Sequence, residues 1–216
     1  RKAVVFLIDR TWRPILGTAI KATAEIFSKH LMANDEVGLY SMGDGWIFDL
    51  THKGTGPVAA GLLKKIKDAE TMRGKANIYG SMQAVLGLSK PGRFAAHLAD
   101  PTVAKWLVVL TDLVHLCPAK DWVNVADELK MLSQVMSTAP DFNLAVIDSS
   151  AISGYEPHHV LWPHWKSNMS EMEKAIEAAS NTSRAYHISA KSSADIKAAF
   201  ERVASLMDSN HAEEHL

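Results

Sequence analysis

The stretch Val4-Val5-Phe6-Leu7-Ile8-Asp9 narrows the possible folds more than any other part of the chain. A continuous apolar run rich in β-branched residues and closed by an acid reads as a strand buried on both faces. Such a strand requires a mainly parallel sheet covered by helices on each side. Two later stretches repeat the pattern, Trp106-Leu107-Val108-Val109-Leu110-Thr111-Asp112 and Asn143-Leu144-Ala145-Val146-Ile147-Asp148. Open α/β sheets place ligands at the C-terminal ends of their strands, so Asp9 and Asp112 are carried to a functional rim. An acid after an apolar strand is also an ordinary turn or helix-capping residue, and Asp9 alone does not separate the two readings.

The rest of the chain alternates accordingly. A helix is expected from about Ile15 to Met32, with Pro14 at its first position, where no N–H partner is needed, and a turn at Asn34-Asp35. Val37 to Met42 forms a second strand. Gly43-Asp44-Gly45 is a tight hairpin turn into Trp46-Ile47-Phe48-Asp49-Leu50, which must run antiparallel. A helix follows with Val58, Leu62, Leu63 and Ile66 on one face, then another with Ile78, Met82, Val85 and Leu86. The Gly-, Pro-, Lys- and Arg-containing stretch from Ser89 to Pro101 reads as an exposed excursion. A helix from about Asp121 carries Trp122, Val125, Leu129, Leu132 and Met136, and Asn168 with Glu171 caps a later one. Ala185-Tyr186-His187-Ile188 is a short strand, and Ser192 with Asp195 caps a last helix bearing Ile196, Phe200, Val203 and Met207. This order implies one doubly wound α/β domain over residues 1–208, with a frayed polar tail over 209–216.

Composition excludes several classes. The 216 residues hold 23 basic and 24 acidic side chains, a formal net charge of −1, so no electrostatic case exists for nucleic acid or an anionic membrane. Hydrophobic residues at 47% supply a full core. No apolar segment approaches a membrane span. The single Cys117 forbids an intrachain disulfide and points to a reducing, intracellular setting. The chain starts at Arg1 directly before a core strand, as a processed or trimmed piece would. The phosphate turn Gly-x-Gly-x-x-Gly, the P-loop and the Gly-x-Ser-x-Gly elbow are all absent.

Taken together, these stretches resemble the von Willebrand factor A domain family over nearly the whole chain. Its members open with an apolar strand running into Asp-x-Ser-x-Ser, here Asp9-Arg10-Thr11-Trp12-Arg13. The Val37-Gly38-Leu39 strand, the Gly43-Asp44 hairpin, the Gly74-Lys75-Ala76-Asn77 loop before Ile78 and the Thr111-Asp112 strand end fall in the family's order. The resemblance implies a six-stranded sheet of order 3-2-1-4-5-6 with strand 3 antiparallel. It also implies a metal-ion-dependent adhesion site, in which Asp9, Thr11 and Asp112 would hold Mg²⁺ and a partner's carboxylate would complete the shell. Such a cation takes hard oxygen ligands in near-octahedral geometry.

Two positions depart from that pattern. Ala76 stands where a ligating Thr is expected, and Arg13 where a second Ser is expected. Ala76 offers no side-chain oxygen, and Arg13 offers donors but no acceptor. Arg13 is therefore expected to replace the cation, neutralising Asp9 and Asp112 by charge-assisted hydrogen bonds. The module then needs no cofactor. Its rim is expected to bind a protein partner through Trp12, Arg13 and Asn77, together with Trp162 and Trp165 of a loop that also carries Tyr155, His158, His159 and His164. These loop aromatics serve equally well as covers for core edges. His115, Cys117, His158, His159 and His164 match no zinc-finger spacing and read as solvated loop residues.

The sequence thus points to a non-enzymatic protein–protein interaction module, a scaffold or adaptor subunit of a larger assembly. A metal-dependent adhesion domain is the alternative within binding. A metal-assisted hydrolase using Asp9, Asp112 and rim histidines is the alternative outside it.

Overall fold

The computed structural model describes residues 1–10, 13–42, 44–69, 78–88, 90–112, 130, 134–135, 137–153 and 185–212. The elements, in chain order, are β1 (Lys2–Ile8), α1 (Arg13–Lys29), β2 (Glu36–Ser41), β3 (Gly45–His52), α2 (Gly56–Asp68), α3 (Ile78–Val85), α4 (Arg93–His97), β4 (Ala104–Thr111), β5 (Phe142–Asp148), α5 (Ser150–Ser153), β6 (Ala185–Ser189) and α6 (Ser193–Ala212). The six strands form one sheet in the order β3-β2-β1-β4-β5-β6. All pairs are parallel except β2 with β3. The expected sheet order and the single antiparallel strand are both present.

The alternation of side chains along each strand divides the core in two. Val4, Phe6 and Ile8 of β1 face one layer with Trp106, Val108 and Leu110 of β4, covered by α1, α2 and α6. Ala3, Val5 and Leu7 face the other with Leu107, Val109 and Val146, covered by α3 and by Phe94 of α4. Every residue of β1, β2 and β5 is buried, which is why their sequences are apolar on both faces. At the β2–β3 edge the register shifts on either side of Leu39. Gly38 is required there, because a Cβ would come within 2.9 Å of the Trp46 ring and 3.2 Å of the Leu50 nitrogen.

Four local expectations change. Helix α1 stops at Lys29 rather than Met32. Lys53 caps the end by donating to the Leu31 carbonyl, and the Met32 N–H turns to the Asp35 carboxylate at 2.8 Å. Val58 does not join the buried face of α2; it is exposed at the first turn beside Gly54, while Leu62 and Ile66 are buried. The stretch from residue 89 to 101 is not a free excursion. It holds α4, whose Phe94 is fully buried edge-on to Phe142 with ring centres 6.4 Å apart. Helix α6 runs past Asp208 to Ala212, with Asp208 tied at 2.8 Å to His30, the residue after α1. Its start is as expected: the Asp195 N–H donates to Ser192 Oγ. Among the described residues no helix is long and apolar enough to cross a membrane. The helix expected from Asp121 lies mostly outside the described residues, as do Asn168 and Glu171.

Candidate functional site

The C-terminal ends of β2, β1, β4 and β5 lie side by side in the sheet, and backbone bonds continue one residue past β1, β2 and β5. The Asp9 N–H donates to the Leu110 carbonyl at 3.0 Å, that of Met42 to Ile8 at 3.1 Å and that of Ser149 to Thr111 at 2.9 Å. The residues emerging here are polar yet buried: Asp9, Arg10, Ser41, Thr111, Asp112, Asp148 and Ser149. Buried polar groups require partners, and buried charges require them most. The rim is thus a shelf of fixed charges and hydroxyls.

Arg10 is the basic residue among them. Its side chain is 2% exposed, and its guanidinium pairs with the Asp44 carboxylate in the β2–β3 connection. Its Nε–H donates to the buried Ser41 Oγ at 2.5 Å. One guanidinium therefore ties the end of β1 to the end of β2 and to the hairpin beyond it. Further along the rim, Asp148 accepts the Ser150 N–H at 2.8 Å and lies 2.8 Å from His187 Nε2 of β6. Burial pushes the Asp148 carboxyl up, but the hydrogen bonds from His187 and Ser150 and the charge of His187 together outweigh it. The net result is a pKa below the usual aspartate value. Ser149 Oγ is buried and makes no hydrogen bond among the described residues.

Of the residues singled out in the sequence, Asp9 and Asp112 reach the rim from adjacent strands and are buried there. Arg13 is the first residue of α1, and its side chain lies outside the described residues. Thr11, Trp12, Asn77, Trp162 and Trp165 also lie outside them, as do Ala76, Tyr155, His115, Cys117, His158, His159 and His164. Sequence reasoning misses Arg10, Ser41, Asp44 and the Asp148–His187 pair. Arg10 sits at a variable position of the Asp-x-Ser-x-Ser pattern. Its one signal is a cation immediately after the acid that closes the strand.

The oxygens present suit Mg²⁺ in type but not in surroundings. Ser41 Oγ is already engaged by Arg10, whose guanidinium is permanently cationic on the same rim. Among the described residues, no group of three or more His, Cys, Asp or Glu side chains is placed to hold an ion.

The sheet order, the one antiparallel strand and the helices on both faces define a von Willebrand factor A-like, Rossmann-like α/β fold. Solved structures with this architecture are similar to the chain. One is a mutant of the PilB minor pilin from Streptococcus sanguinis, with a TM-score of 0.56 at 11% identity, covering 96% of this chain and 61% of the pilin. Another is proximal thread matrix protein 1 from the mussel byssus, with a TM-score of 0.55 at 12% identity, covering 94% of this chain and 45% of that protein. A further structure of the thread protein, described as having a zinc-occupied MIDAS motif, also gives 0.55, at 11% identity, with coverage of 94% and 47%. The chain therefore spans only about half to three fifths of these proteins. No protein-family model matches the sequence, and no curated protein is similar to it in sequence.

Proposed function

We propose that the chain is a non-enzymatic protein–protein interaction module, a scaffold or adaptor subunit of a larger assembly. It engages partners through the rim at the C-terminal strand ends and does so without a bound metal. The observation that supports this best is Arg10, a buried and permanent cation at the end of β1, held by Ser41 and Asp44. It puts a fixed positive charge, paired with Asp44, on the rim that also carries the buried acids Asp9 and Asp112. A minor pilin and a byssal thread matrix protein share the fold, and an assembly role fits that company.

The opposing reading is a metal-dependent adhesion domain, favoured by Asp9 and Asp112 emerging from adjacent strands and by the zinc-occupied motif described for the thread protein. Calorimetric titration with Mg²⁺ and Mn²⁺ separates the two. No binding at millimolar metal is expected. Micromolar binding that disappears in Asp9→Ala overturns the metal-free reading. Crosslinking with mass spectrometry in native extract tests the surface: crosslinks should map to the rim, and crosslinks confined to another face would end the assignment.

A further inference from the structure

We propose that Asp44 is a built-in occupant of a carboxylate-binding position on Arg10, displaced by an acidic side chain of the protein partner when the rim is engaged. This role presupposes the interaction module above and adds the chemistry of its partner and a means of regulation.

Arg10 is positioned independently of Asp44. Its side chain is 2% exposed and its Nε–H is bonded to Ser41, itself fully buried at the end of β2. The sheet therefore holds the guanidinium in place whether or not the hairpin carboxylate is on it. Asp44 is placed differently. Its side chain is 47% exposed, and it belongs to the short connection between β2 and β3. The neighbouring Gly45, at φ +95°, borders open space: a Cβ added there would meet nothing within 4 Å. One member of the ion pair is part of the core, and the other is part of a surface turn with room beside it.

A guanidinium presents a planar fork of donors that matches a carboxylate and binds it by charge-assisted hydrogen bonds. Replacing one carboxylate by another keeps the buried cation neutralised throughout, so the large penalty of an isolated buried charge is never incurred. The released Asp44 returns to water, where half of it already lies. What opposes exchange is proximity, because a carboxylate on a short tether acts at an effective concentration of about millimolar or more. A free anion overcomes that only in large excess over this effective concentration. A carboxylate presented by a partner that makes other rim contacts needs no such excess, whereas a neutral or basic segment has nothing to offer Arg10.

The test uses the full chain labelled with ¹⁵N and ¹³C, with sodium acetate as the probe and sodium chloride at equal ionic strength as the control. The NMR signal of the Arg10 Nε–H should move with acetate and not with chloride. Asp44→Ala should bind acetate at least about tenfold more tightly than the wild type. Equal affinity in the two proteins, or binding that leaves the Arg10 signal unmoved, overturns the role of Asp44. If Asp44→Ala does not fold, Asp44→Asn and the wild type still decide. Saturating acetate must bring the wild-type Asp44 carboxyl signal to that of a free aspartate, and an unmoved signal while Arg10 responds rules displacement out. Failure of acetate exchange with partner crosslinks still on the rim ends this role and leaves the module. Intact exchange with crosslinks elsewhere ends the module instead.

Discussion

Where the strands begin, Asp35 is buried and accepts the backbone N–H groups of Lys2 at 2.7 Å and Met32 at 2.8 Å, with the Lys2 ammonium 3.7 Å away. Nearby, the fully buried Lys105 donates to the Asp100 carbonyl at 2.6 Å, and Glu36 is bound by His97 and Arg1. Where the strands finish, Arg10 is equally buried, but its charge is met by a half-exposed carboxylate on a turn. The first end ties Lys2 to a buried carboxylate and Lys105 to a backbone carbonyl; the second pairs Arg10 with a half-exposed acid. Buried charge alone therefore does not mark a functional end. On the exchange proposed above, what marks it is a buried charge whose partner can leave.

That contrast can be broken by substitution. Asp35→Ala should have the largest effect, about 3–5 kcal/mol of stability in urea unfolding, because it strands the buried Lys2 ammonium and N–H and frees the part-buried Met32 N–H at once. A loss of about 1–2 kcal/mol or less would place this end in the same class as the rim. Asp44→Ala should cost less, about 1–2 kcal/mol, since water reaches the vacated side of Arg10 and Ser41 still accepts from it. A cost equal to that of Asp35→Ala would mean the hairpin acid is as structural as the acid at the far end.

The smallest effect is expected for His187→Ala, about 1 kcal/mol, because the histidine is 31% exposed. Its sign with pH is fixed by Asp148, whose folded pKa lies below the ordinary value. The stabilisation is present above the unfolded carboxylate value of about 3.9. It is lost as pH falls through the folded value. The mutant should therefore be weaker than the wild type near neutrality and equal to it in strong acid. Its Asp148 titration, followed by carboxyl ¹³C shifts, should move up; an unmoved titration would show that Ser150 and not His187 holds the acid.

The sheet is legible in the sequence because β1, β4 and β5 are buried on both faces, and a chain can satisfy that only with unbroken apolar runs. The hairpin is legible because three residues separating two strands leave no room for a crossover. What escapes is set by distance along the chain. Phe94 has no periodic companions, and its burial depends on Phe142, which only the folded sheet brings beside it. Arg10 and Asp44 are 34 positions apart, so nothing local advertises their pairing. Lys2 and Lys105 stand at the starts of β1 and β4, and only the fold shows them enclosed.

The position of β1 has a mechanical consequence. It lies between two parallel neighbours, β2 and β4, with its start at one end of the molecule and its rim residues at the other. A partner pulling on the rim against an attachment at the start of β1 loads that strand along its own axis. Its hydrogen bonds to both neighbours then resist together in shear, rather than opening one at a time as they would if the strand were peeled from an edge. The rim is thus a handle on an interior strand that is loaded in shear.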